Sequence, residues 1–177
     1  LFRSVCVDSD GCAMDTMNIK HIRCFGPCLV DEWGLGDWRQ AILDRWNILN
    51  LYSGTRGINR FKGLAMQLKE VNEQVTPIDG IQELLAWVEN APELSNDALK
   101  KELDRHPIFR KALSWSENVN RSIQALPQEE VSPFAYVREA LAAAHNGADV
   151  VVVSSANPEA VREEWTRFGL IEDVDLL

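Results

Sequence analysis

Two stretches of the chain carry the apolar pattern of β-strands, and almost everything between them repeats with a helical period. Leu1 to Val7 reads as a buried first strand. Asp149-Val150-Val151-Val152-Val153 is β-branched and unbroken by polar residues, the pattern of a strand buried on both faces of a parallel sheet. After Thr16 the spacing changes to three and four. Asp37 suits the N-cap of a helix carrying Ile42, Trp46 and Leu49, with Gly54 as its stop. Phe61, Leu64, Leu68 and Val71 mark a second helix, and Thr76-Pro77 opens a third with Ile81, Leu84 and Val88 on one face. A short helix is expected from Asp97 to about Arg105, then a long one through Phe109, Ala112, Ser116, Val119 and Ile123. Past Ser132-Pro133, the residues Phe134, Val137, Leu141 and Ala144 form one more helix face. Asn157-Pro158 starts a last helix, Gly169 ends it, and Ile171 to Val174 could begin another strand.

The first strand stops abruptly at Asp8-Ser9-Asp10-Gly11. Residues two apart in extended backbone face the same way, so Asp8 and Asp10 can converge on one site. Two neighbouring carboxylates repel unless a cation lies between them or one is protonated. Oxygen donors and high negative charge favour a hard cation, most simply Mg²⁺. Beside such an ion one carboxylate can attack a phosphoryl group while the other moves the proton. A solvated Asp-rich turn is the bland alternative. A calcium-binding EF-hand loop is a poor rival, because the position that must be glycine holds Ala13.

The run Asp8-Ser9-Asp10-Gly11-Cys12-Ala13-Met14-Asp15-Thr16 resembles motif I of the haloacid dehalogenase-like (HAD) hydrolases, D-x-D-G-T-L-x-D-[ST], with Cys12 in the usual Thr position. Ser154, at the end of the valine run, resembles motif II of the same family. The resemblance implies an α/β fold: a Rossmann-like, three-layer α/β/α core with a parallel sheet, from residues 1–16 and 132–177. A large C1-type helical cap, residues 17–131, would be inserted after the first strand. It implies Asp8 as nucleophile, Asp10 as general acid/base, both as metal ligands to Mg²⁺, Asp10 through its backbone carbonyl, and Ser154 as donor to a phosphoryl oxygen. Ser155 and Asn157 stand beside it as substrate-binding candidates. Aspartate at the second position is the phosphatase and phosphomutase form of the motif. The implied activity is hydrolysis of a small phosphorylated metabolite through an aspartyl-phosphate intermediate. A phosphomutase with the same aspartate pair, or a non-catalytic HAD-like scaffold, is the alternative. The family's later basic residue and acidic metal pair have no match before Leu177, and the core segments are about half of what a doubly wound core needs. The expectation is therefore of a core C-terminally incomplete within these residues.

Charge narrows the partners. The 177 residues carry a net charge of −9, which argues against a nucleic-acid surface. In this acidic chain, Ser53 to Gly63 is notable for three cations, among them Arg56 and Arg60, as candidates to meet an anionic substrate. No apolar run approaches membrane-spanning length, and the first residues lack a charged-then-apolar leader pattern. The four cysteines form no C-x-x-C pair and read as free buried thiols of a cytoplasmic protein. Oligomeric state leaves no trace in the pattern.

Overall fold

The computed structural model describes residues 3–154, 156 and 158–177. The chain divides into two compact units: Leu1–Ile19 with Leu126–Leu177, and Lys20–Ala125. Helix accounts for 61% of the described residues, and the only sheet among them has two parallel strands. This overturns the expected three-layer Rossmann-like core.

The strands are β1 (Ser4–Val7) and β2 (Asp149–Val152), paired in parallel with Ser4 opposite Asp149 and Val7 opposite Val152. The physical reason for the correction lies on both sides of β2. The expected third strand, Ile171 to Val174, turns instead into a 3₁₀ helix over Ile171–Asp173, and only Leu176 reaches the sheet, as a single bridge to Val151. β2 alternates, with Val150 and Val152 buried and Asp149 exposed, so it is not covered on both faces. Residues 4–6 of β1 are exposed, against the expectation of a buried strand. Helices α8 (Val137–His145) and α9 (Pro158–Arg167) complete this unit, and its core gathers Met14, Leu141, Val150, Val152, Val161 and Trp165.

Seven helices of the described residues form before these: α1 (Met17–Lys20), α2 (Gly26–Trp33), α3 (Arg39–Leu51), α4 (Arg60–Gln74), α5 (Ile81–Asn90), α6 (Asn96–Lys100) and α7 (Pro107–Gln124). A π-helix, His21–Phe25, joins the first two. Wider π turns leave backbone groups out of register, and here Phe25 O accepts from Trp115 Nε1 at 3.2 Å. Around it Phe25, Trp46, Phe61 and Trp115 form a continuous set of ring contacts with centroids 6.0–6.2 Å apart. Side-chain caps start α4, α6 and α7, from Asn59, Ser95 and His106. Asp37, expected to cap α3, lies instead in a 3₁₀ turn before it. A glutamate on α4 holds α3 through both oxygens: Glu70 accepts from Arg45 Nε and Nη2, each at 2.6 Å. Where α3 meets α4, a Cβ at Gly63 would lie 2.6 Å from Asn50 Oδ1, so only glycine allows this approach.

The thiols divide by environment. Cys6 and Cys12 are exposed, correcting the expectation of four buried thiols, whereas Cys24 is fully buried and Cys28 half-buried. Burial pushes the Cys24 and Cys28 thiols above their ordinary range. Thiol-specific alkylation of the folded protein is expected to label Cys6 and Cys12 rapidly and Cys24 only after unfolding, as read by peptide mass mapping. The Asp175 carboxylate is held below its usual range, first by the Val150 amide at 2.8 Å and then by His145 at 3.1 Å. A depressed folded-state value means stability present above the unfolded value, about 3.9, and lost as pH falls through the folded one. Asp175→Asn is expected to lower Tm at neutral pH, with the gap to wild type closing as pH falls through the folded-state value in a pH series of melts.

Candidate functional site

Parallel pairing sends the carboxyl ends of β1 and β2 the same way, and the candidate residues lie there. Val153 N donates to Val7 O at 2.9 Å, carrying the ladder from the last residue of β1 to the first residue past β2. Asp8 follows directly on β1, and Ser154 lies two residues beyond β2. The sequence-predicted Asp8, Asp10 and Ser154 therefore belong to adjacent loops at one end of the strand pair, where open α/β sheets bind ligands.

Alternation sets the side chains of the first loop. Ser9 is fully buried, and its Oγ accepts from Trp165 Nε1 of α9 at 2.9 Å. Asp8 on one side of it is exposed and Asp10 on the other is half-buried. Asp8 Oδ1 accepts from the Ser9 amide at 2.8 Å, and Asp10 Oδ1 accepts from the buried Thr16 hydroxyl at 2.6 Å. Gly11, at φ 81°, turns the chain so that its amide donates to Met14 O at 2.7 Å. The loop is then stitched to the run leading into α8: Asp15 N donates to Ser132 O at 2.9 Å and Phe134 N to Ala13 O at 3.0 Å. In the second loop the Ser154 oxygen accepts from Ala156 N at 3.1 Å, which leaves its own proton to donate.

Ser155 and Asn157 lie outside the described residues. Arg56 and Arg60 belong to the helical unit, and their partners there are specific. Arg56 Nη1 donates to Leu51 O at 3.1 Å, a cation at the carboxyl end of α3. Arg60 Nη1 donates to Ser116 Oγ at 3.1 Å and Asn120 Oδ1 at 2.7 Å on α7, and its guanidinium lies 5.2 Å from the centroid of the Phe25 ring.

The donor set suits a lightly held Mg²⁺. Among the described residues no three His, Cys, Asp or Glu side chains are grouped to cage an ion. Mg²⁺ demands no such cage: it keeps several waters and is held by one or two carboxylates with substrate phosphate completing the shell. Asp8 could supply one such carboxylate, with the Asp10 backbone carbonyl as a further oxygen donor. Sequence reasoning missed Thr16 and Trp165 as supports. Thr16 stands in the motif itself, six residues after Asp10, and its hydroxyl was the available signal; nothing in the local pattern ties Trp165 to Ser9.

Trp165→Phe keeps one aromatic ring but removes the pyrrole part of the buried indole with its N–H, leaving the buried Ser9 hydroxyl without this donor. The expected cost is about 1–3 kcal/mol, read as a lowered midpoint in urea by circular dichroism. Among the described residues no helix is long and apolar enough to cross a membrane. Neither a scan against protein-family models nor a search of curated proteins found a match for this chain.

Proposed function

We propose that the protein is a Mg²⁺-dependent phosphohydrolase acting on a small phosphorylated metabolite. The observation that carries the proposal is that Asp8, Asp10 and Ser154 lie in loops that leave the same end of the parallel strand pair. The likeness of residues 8–16 to motif I of the HAD hydrolases supports it.

In the proposed reaction an Asp8 carboxylate oxygen attacks phosphorus, and the bond from phosphorus to the ester oxygen breaks. Asp10, as the carboxylic acid, gives its proton to the leaving oxygen. Asp10, now a carboxylate, takes a proton from water as the water oxygen attacks the aspartyl phosphate. Inorganic phosphate leaves and the Asp8 carboxylate is restored. Thr16 holds Asp10 in place through the short hydroxyl contact. The Ser154 hydroxyl donates to a phosphoryl oxygen without adding charge to an already acidic site. Asp8 and the backbone carbonyl of Asp10 would hold Mg²⁺, which would supply charge neutralisation at the phosphoryl oxygens.

A phosphate-release screen of phosphorylated metabolites with Mg²⁺ tests this. Turnover is expected in wild type, reduced to background in Asp8→Asn and about 10²–10⁴-fold in Asp10→Asn, and lost on chelation with EDTA. Transfer of phosphate to a second substrate hydroxyl in place of water would identify a phosphomutase. No turnover on any ester removes the proposal in favour of a non-catalytic role, and full turnover in Asp8→Asn removes the aspartyl-phosphate route and the proposal with it.

A further inference from the structure

Tyr136 is the one residue other than glycine with positive φ among the described residues, at φ 67°, ψ 8°. The left-handed region is unfavourable for an aromatic L-residue, and such conformations persist where something else over-determines them. Burial is the usual compensation, and here it is missing: Tyr136 is 79% exposed, the highest value among the large exposed hydrophobics. Its backbone carbonyl accepts the first bond of α8, from Ala140 N at 3.0 Å, a bond that any residue in this backbone geometry would make. The fold therefore holds a strained, solvent-facing ring that contributes little to its own packing.

Topology decides where that ring stands. The far end of α8, His145, is joined to Asp175 at 3.1 Å, and Asp175 in turn accepts from Val150 N near the start of β2. Helix α8 therefore has its carboxyl end at the amino end of β2, and its nine residues, at about 1.5 Å each, carry its first turn toward the opposite end of the strand. The run-in to α8 is paired with the aspartate loop through Ser132 and Phe134. Tyr136 thus stands at the end of the strand pair that carries Asp8, Asp10 and Ser154. Phe134, two residues earlier, is also exposed, at 39%.

We infer that Tyr136 is a specificity residue whose ring packs against the organic part of the phosphate ester, selecting esters with a ring-bearing leaving group. This deepens the phosphohydrolase proposal and rests on it. The two aspartates and Ser154 engage only the phosphoryl group and the ester oxygen, which every phosphate ester shares. An aromatic face beside them supplies what they lack, a surface for the carbon skeleton.

The test compares p-nitrophenyl phosphate, whose leaving group is a ring, with acetyl phosphate, whose leaving group is two carbons. Tyr136→Gly and Tyr136→Asn both remove the ring and both tolerate the left-handed backbone. For each, kcat/KM on the aryl ester is expected to fall about tenfold, carried by KM, while acetyl phosphate changes by less than about twofold. Tm is expected to match or exceed wild type, and Tyr136→Phe to retain the aryl preference. Equal efficiency of wild type and both variants on the aryl ester overturns the assignment, as does an equal loss on both substrates. A wild type that turns over esters in the metabolite screen but not p-nitrophenyl phosphate also overturns the assignment, whereas a wild type that releases phosphate from no ester, or an Asp8→Asn variant as active as wild type, overturns the phosphohydrolase proposal and this inference with it.

Discussion

The pairing of β1 with β2 is the constraint from which the candidate site follows. Only a parallel pair puts two carboxyl ends side by side, and only that arrangement brings a loop from the start of the chain against one near residue 154. The pair is short, four residues on each strand, and one of those strands is largely exposed. It is held by what surrounds it: the Trp165 indole on Ser9, the carbonyl of Val7 on Val153, and Asp175 gripping the Val150 amide. Each of these bonds joins segments at least 25 positions apart, the longest spanning 156.

The helical unit is stabilised in a different way. Its centre is aromatic, with Phe25, Trp46, Phe61 and Trp115 in edge and stacked contact, and the polar atoms of those rings are satisfied in place. Trp46 Nε1 donates to His21 Nδ1 at 3.1 Å, and Trp115 Nε1 to the carbonyl of Phe25. A π-helix in the middle of such a core is costly in regular hydrogen bonding. Here the indoles supply donors to its residues, so the aromatic packing and the irregular helix depend on each other. Arg60 belongs to the same centre, spanning from α4 to α7 over the Phe25 ring.

What could be read from the sequence follows the range of the forces involved. The helices with a strong 3.6 period, such as Phe61 to Val71 and Phe109 to Ile123, fall inside α4 and α7, because the period records a buried face directly. The valine run is a strand for the same reason. Whether that strand is covered on one face or two is a matter of how many neighbours the chain provides, and no local pattern carries that number. The same holds at Ile171, where apolar spacing admits a strand but the chain takes a 3₁₀ turn. In the candidate site, Asp8 and Asp10 were legible because their chemistry is written into adjacent positions. Ser116, a polar residue on an apolar helix face, was visible too, but its partner Arg60 lies 56 positions away. The left-handed backbone of Tyr136 left no trace, since turns of that kind ordinarily announce themselves with glycine or asparagine.

Long-range parallel pairing also imposes an order on biosynthesis. A ribosome adding about 5–20 residues per second makes β1 on the order of ten seconds before β2 emerges. Contacts within residues 20–125 close over much shorter distances and form first, while the strand that opens the sheet waits unpaired. An apolar edge left open for that interval is a hazard for self-association. The nascent strand is bracketed by Arg3 on one side and Asp8 on the other, charges of the kind that keep such segments apart until their partner arrives. The aspartate at the heart of the candidate chemistry would thus serve the newborn chain as a gatekeeper before it serves the folded one.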